Sequence, residues 1–150
     1  MGVGGLNNGW RLITTQLNHE RVGLAAFGGL ANRYLEDVTQ WTRETRGHDG
    51  HPLIEDMRVQ MQLGEAYARL EAMNVMNWRM ASDIEAEQLD PALASAVKVY
   101  STESLIEVYR IFQEILGVSG ALRKGSAGAV LQGSISQEAR ACQIHLGEAD

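Results

Sequence analysis

The chain has one cysteine and two prolines in 150 residues, and each scarcity excludes something. Cys142 alone cannot close an internal disulfide, and it is neutral about compartment. With so few prolines, 45% hydrophobic and 21% charged residues, the composition is not that of a disordered chain. No apolar run approaches the roughly 18 residues that a membrane span takes, and no signal-peptide pattern precedes the first periodic segment. Basic clusters are missing too. A net charge of −6 without a Lys/Arg-rich stripe argues against nucleic acid as a partner and favours solubility. The reading is a cytoplasmic protein with no nucleic-acid partner and no membrane span.

What is present is helical periodicity. Trp10, Ile13 and Leu17, then Leu24, Phe27, Ala31, Leu35, Val38 and Thr42, recur at three- and four-residue steps. Asn7 or Asn8 serves as the cap, and the helix is expected to end near Arg46-Gly47. Gly23, Gly28 and Gly29 each cost roughly 1 kcal/mol relative to alanine inside a helix. They predict close approach of a neighbouring helix or, less commonly, a ligand. A second helix is expected from Leu53 to about Leu89, with Ile54, Met57, Met61, Leu63, Ala66, Tyr67, Leu70, Met73, Met80 and Ile84 as its apolar markers. Its methionines read as gap-filling core, and Asn74 and Asn77 as makers of interhelical hydrogen bonds. Asp90-Pro91 reads as a cap followed by a first-turn proline. The third long helix carries Leu93, Val97, Tyr100, Leu105, Val108, Phe112 and Ile115, and ends at Gly117. Residues 117–135 form a Gly/Ser-rich loop, and a short last helix starts near Ser136. No segment alternates as a strand does. The expected fold is all-α, an up-and-down antiparallel helical bundle in one domain over residues 1–150.

Two groups of residues invite chemistry. His48, Asp49 and His51 have two histidines near a carboxylate, but the segment is a turn and its spacing matches no metal site. No metal is expected. Glu20 and Arg21 put an acid beside a base within a mostly apolar helix. Adjacent helical residues do not face one another, so a simple salt bridge accounts poorly for the pair.

Four stretches in order resemble the C-terminal helical domain of the acyl-CoA dehydrogenases. Gly9-Trp10 followed by Leu17-Asn18-His19-Glu20-Arg21 and a glycine-rich helix resembles its start. Arg46 with Gly50-His51-Pro52 resembles the family's Arg-x-x-Phe-Gly-x-Pro turn. Glu114-Ile-Leu-Gly117-Val-Ser-Gly120 resembles its Gln-x-x-Gly-Gly-x-Gly segment. Glu138-Ala-Arg140-Ala-Cys142-Gln143-Ile-His-Leu146-Gly147 resembles its Asp-Ala-Arg-x-x-Gln-Ile-x-Glu-Gly stretch. Thr14-Thr15-Gln16 before Leu17 and the loop around Gly125-Ser126-Ala127-Gly128 look most like the actinobacterial branch acting on steroid side-chain or other bulky CoA thioesters.

The resemblance implies that the chain is a C-terminal piece of a longer enzyme with an N-terminal helical domain and a β domain. It implies FAD as cofactor, an acyl-CoA substrate, an electron-transfer acceptor, and homo- or hetero-oligomers built through the bundle. The implied reaction is α,β-dehydrogenation of an acyl-CoA thioester. The family's base stands either before the helical arginine or in the last loop before glycine. Here these positions are Glu20 and Leu146, so Glu20 is the implied catalytic base. Asn18 and Arg21 border the acyl-CoA channel, and Glu148 is a distant alternative base because of an insertion near residues 123–135. The implied flavin contacts are Arg46, Glu114, Gly117 and Gly120. Three departures weaken them: Asp49 replaces the aromatic, Glu114 the glutamine and Val118 a glycine. Heteromeric relatives in which one chain has lost such residues make a non-catalytic structural subunit the alternative reading. By itself the chain is expected to be colourless, inactive and self-associating through exposed apolar faces.

Overall fold

The structure, a computed structural model, describes residues 25–86 and 88–121 together with positions 9, 10, 12, 13 and 16. The isolated positions are helical, as the periodicity from Gly9 predicts. Three long helices follow: α1 (Ala25–Glu44), α2 (Met57–Glu85) and α3 (Pro91–Leu116). All three pack against one another, and no strand occurs among the described residues. The all-α antiparallel bundle is therefore what the chain forms. No described helix is long and apolar enough to cross a membrane.

The main core joins one stripe from each helix. Ala31, Tyr34 and Val38 come from α1, and Val59, Leu63, Ala66, Leu70 and Met73 from α2. Leu105, Val108, Tyr109, Ile111, Phe112 and Leu116 come from α3. Tyr109 stands edge-on to Tyr34 with ring centroids 6.1 Å apart, and Phe112 tilts against Tyr109 at 6.5 Å. A smaller cluster of Met80, Ala94 and Val97 closes the α2–α3 corner. Thr42, on the predicted stripe, is fully buried, and its hydroxyl donates to the carbonyl of Thr39 at 2.8 Å. A polar residue thus fits an apolar face by bonding to its own helix.

Gly28 answers the question raised by the glycines. A Cβ placed there would stand 2.8 Å from Cε of Met73, so the close approach is that of α2, the packing alternative. Gly29 is exposed and meets nothing; Gly23 lies outside the described residues.

Several expectations need correction. α1 stops at Glu44 rather than Arg46-Gly47, because Arg46 leaves the helix to pair with Pro52 in an isolated antiparallel bridge. The second helix does not begin at Leu53. Leu53–Glu55 is a single 3-10 turn, and Asp56 adopts extended backbone and caps α2 by accepting from the Arg58 N–H at 2.8 Å. Its end is Glu85, not Leu89. Asn74 donates to Glu71 of its own helix at 3.4 Å instead of crossing to another. Of the methionines on this segment, Met73 and Met80 are core, whereas Met57 and Met61 are exposed. By contrast Asp90 caps α3 as expected, accepting from the Ala92 N–H at 2.9 Å, with Pro91 in the first turn. The start of the 117–135 loop is a 3-10 turn, Gly117–Ala121, and the predicted last helix lies outside the described residues.

The two caps give a measurable expectation. Asp56→Ala and Asp90→Ala each remove an acceptor from a first-turn N–H, and each lowers stability by about 1 kcal/mol. Asparagine at either position restores most of it. Urea unfolding followed by circular dichroism checks this, and equal loss with Asn and Ala would rule capping out.

Candidate functional site

The predicted site residues divide into two groups. Asn18, Glu20 and Arg21 lie outside the described residues, as do Leu146 and Glu148. Arg46, Glu114, Gly117 and Gly120 are described, and the fold brings them to one end of the bundle. The connection carrying Arg46 leads directly into the start of α2, and Gln62 near that start donates to Glu114 at 3.0 Å. The C-terminal end of α3 is therefore level with the 45–56 turn.

That turn is built by its own residues. Gly47 and His51 share a backbone hydrogen bond of 2.8 Å, Gly50 N–H donates to Gly47, and Leu53 N–H donates back to Thr45. Gly50 has φ +82°, a conformation that a side chain strains and glycine does not. Asp49 accepts from the His51 N–H at 3.0 Å, an Asx-type closure. The aspartate that replaces the family's aromatic thus has a local structural task. His51 Nδ1 lies 3.5 Å from Glu55, so that histidine serves an exposed pair on the turn. An open cavity of about 620 Å³ lies here, with His48, Asp49, His51, Leu53 and Arg58 among its lining residues.

Arg46 is exposed, and its Nη1 donates to the Gly50 carbonyl at 2.8 Å. That bond fixes the guanidinium over the turn without burying its charge. Across the end of the bundle, Glu114 accepts from Gln62 and lies 3.8 Å from Nε of Arg110, which also holds Glu107 at 3.1 Å. These are exposed contacts, and each stabilises the fold by little. Their consequence is chemical: the Glu114 carboxylate is turned to protein donors. Gly117 ends α3 with φ +53°, its N–H bonded to Gln113. At Gly120 a Cβ would stand 3.1 Å from Leu116.

A dinucleotide cofactor presents phosphate anions, and the donors here fit it unevenly. Arg46 is an exposed planar cation of the kind that grips phosphate. Glu114 brings acceptors and a negative charge, which suit an anionic phosphate poorly. Gln62 was not singled out from sequence; it is 52 residues from Glu114, and no local pattern announces a partner at that distance.

Away from this end, the Arg69 guanidinium is held above its ordinary pKa mainly by its hydrogen bond to Glu65. Among the described residues no group of three His, Cys, Asp or Glu is placed to hold a metal ion.

Comparison with known proteins completes the description. Residues 7–148 match the family described as acyl-CoA dehydrogenase, C-terminal domain. Acyl-CoA dehydrogenase FadE26 of Mycobacterium tuberculosis is 39% identical over 145 residues, covering 95% of this chain and 36% of the relative. FadE29 of the same organism is 36% identical over 147 residues, covering 98% and 37%. Among solved structures, the Tcur3481–Tcur3483 steroid ACAD superposes with a TM-score of 0.84 at 44% identity, covering 97% of this chain and 36% of that one. The ChsE4–ChsE5 complex from Mycobacterium tuberculosis does so with a TM-score of 0.82 at 38% identity, covering 97% and 38%. This chain spans little more than a third of the length of each of these four. Its sequence, its helices and its match over residues 7–148 agree: the chain belongs to the acyl-CoA dehydrogenase family, as a C-terminal helical domain.

Proposed function

We propose that this bundle is the C-terminal domain of an FAD-dependent acyl-CoA dehydrogenase that introduces an α,β double bond into an acyl-CoA thioester. The family match over nearly the whole chain carries the reading. The likeness to a steroid ACAD favours a bulky, steroid-type acyl group. In this reading Glu20 removes the α-proton, and Asn18 and Arg21 border the acyl-CoA channel. A thioester α-proton is weakly acidic, so its base works in a water-poor site, where desolvation raises the carboxylate's proton affinity. FAD, when bound, supplies the acceptor for the departing β-hydride. Of this chain's residues, Arg46 is suited to its phosphates and the backbone at Gly117 and Gly120 to close approach. The electrons would leave to a separate acceptor, and the enzyme would work in the cytoplasm as a homo- or hetero-oligomer built through the bundle.

One observation favours the second reading, a non-catalytic structural subunit of a heteromeric enzyme. Glu114 is engaged by Gln62 and Arg110 and offers a dinucleotide no donor. Solved relatives that pair two chains, such as the ChsE4–ChsE5 complex, support a heteromeric assembly.

The test uses the full-length parent, alone and with a second dehydrogenase-like chain. The expected result is a yellow preparation whose flavin absorbance near 450 nm bleaches when a steroid-type acyl-CoA is added anaerobically. Bleaching only in the presence of the second chain, and unaffected by substitution at Glu20, would instead assign this chain the structural role.

A further inference from the structure

Helices α2 and α3 interrupt their buried stripes at the same level. On α2 the stripe runs through Leu63, Ala66, Leu70 and Met73 and resumes at Met80. Steps of four and three residues put Asn77 between those two methionines, on the same face. On α3 the same steps run from Ala94 and Val97 to Leu105 and Val108, with Ser101 between them. Met80 packs with Ala94 and Val97, whereas Met73 and Leu105 belong to the main core. Asn77 and Ser101 therefore share the layer that divides the main core from the smaller cluster.

This layer is polar, and no hydrogen bond closes it. The Ser101 hydroxyl is buried and meets no partner. Asn77 is half-buried, and the interhelical hydrogen bond expected of it is absent among the described residues. A polar group taken out of water without a partner destabilises the state that buries it. Opening the layer returns the hydroxyl to water, so the cost falls on the closed form alone.

At and beyond the layer, the described polar contacts tie each helix to itself. Arg79 pairs with Asp83 at 3.4 Å, Ser95 donates to the Pro91 carbonyl at 2.8 Å, and Thr102 donates to the Lys98 carbonyl at 2.7 Å. Helix α2 ends at Ala86 with no basic side chain in its last turn to complement the carbonyls there. At the opposite end of the same two helices, Gln62 donates across to Glu114 at 3.0 Å. Among the described residues, a hydrogen bond between α2 and α3 thus holds one end of this helix pair, and the other end relies on Met80, Ala94 and Val97.

We propose that the Asn77–Ser101 layer is a joint. Beyond it the end of α2 (residues 80–85) and the start of α3 (residues 91–100) open together while the main core stays closed. The proposal rests on the packing of α2 against α3 and not on the catalytic reading, so either can fail without the other.

Native-state hydrogen exchange of the full-length protein, read by mass spectrometry of its peptides, tests the joint. Amides of residues 80–85 and 95–100 are expected to exchange at least about 10-fold faster than those of 63–73 and 105–112, and to share one denaturant dependence. Ser101→Ala removes the orphan hydroxyl and keeps the helix, so both arms slow together by about 10-fold. Asn77→Leu makes the facing half of the layer apolar and is expected to slow them too, which serves should Ser101→Ala not fold. Glu103→Gln, exposed on α3, changes neither arm. Arms as protected as the main core, arms that open independently of each other, variants at Ser101 and Asn77 that leave exchange as it was, or equal slowing by Glu103→Gln would each overturn the proposal.

Discussion

Replacing Phe112 by alanine lowers the stability of the bundle by about 3–5 kcal/mol, the range for a large aromatic lost from a packed core. Phe112 is fully buried on α3, where it stands against Tyr109, itself edge-on to Tyr34 of α1. Its removal opens a cavity in the core cluster to which all three helices contribute. Domains have only about 5–15 kcal/mol in total, so the variant is expected to be partly unfolded near body temperature. Val99→Ala on the same helix, at a position 49% exposed, is expected to stay within about 0.5 kcal/mol of the parent. Urea unfolding of both variants by circular dichroism makes the comparison. A Phe112→Ala loss below about 1 kcal/mol would mean that α3 is not packed as described.

This core was largely legible in the residues themselves. Leu105, Val108 and Phe112 recur at the helical period, as do Ala31, Val38 and Thr42, and all are buried. Asp90-Pro91 announced the start of α3 because a cap and a first-turn proline act locally. The start of α2 was misplaced for a related reason. Asp56 is as good a cap as Asp90, but it follows Leu53 and Ile54, whose apolar character continues the helical pattern across a 3-10 turn. Periodicity cannot distinguish those two windings over three residues. Met57, Met61 and Trp78 mark a different limit. Hydrophobic residues on a helix announce burial, but not whether the burying surface belongs to the same domain.

The bundle end shows the same division. Arg46, Gly117 and Gly120 were singled out by their likeness to family motifs, and the fold sets them at one end. What the motifs could not reveal is the role of the replacements. Asp49 closes the turn through His51, and Glu114 bonds to Gln62 across the sequence. Both replacements find hydrogen-bond partners within this chain, and each is visible only once the partner is in place.

Glu20→Gln is expected to slow flavin reduction by acyl-CoA in the full-length parent about 10²- to 10⁴-fold, the contribution of a positioned general base. The amide keeps the size and shape of the carboxylate and removes its capacity to take a proton. Flavin binding does not depend on that proton, so the preparation stays yellow with an unchanged flavin content. This second readout separates lost chemistry from lost folding or lost cofactor. Glu148→Gln serves as the comparator, because Glu148 is a carboxylate shortly after Leu146, the other position at which the resemblance implies a base. Stopped-flow reduction under anaerobic conditions distinguishes the cases. Slow reduction in Glu20→Gln alone assigns the base to Glu20, and slow reduction in Glu148→Gln alone assigns it to Glu148. If both variants reduce flavin at the parent's rate, neither carboxylate is the base, and reduction that then requires a second chain makes this bundle the structural partner of that site.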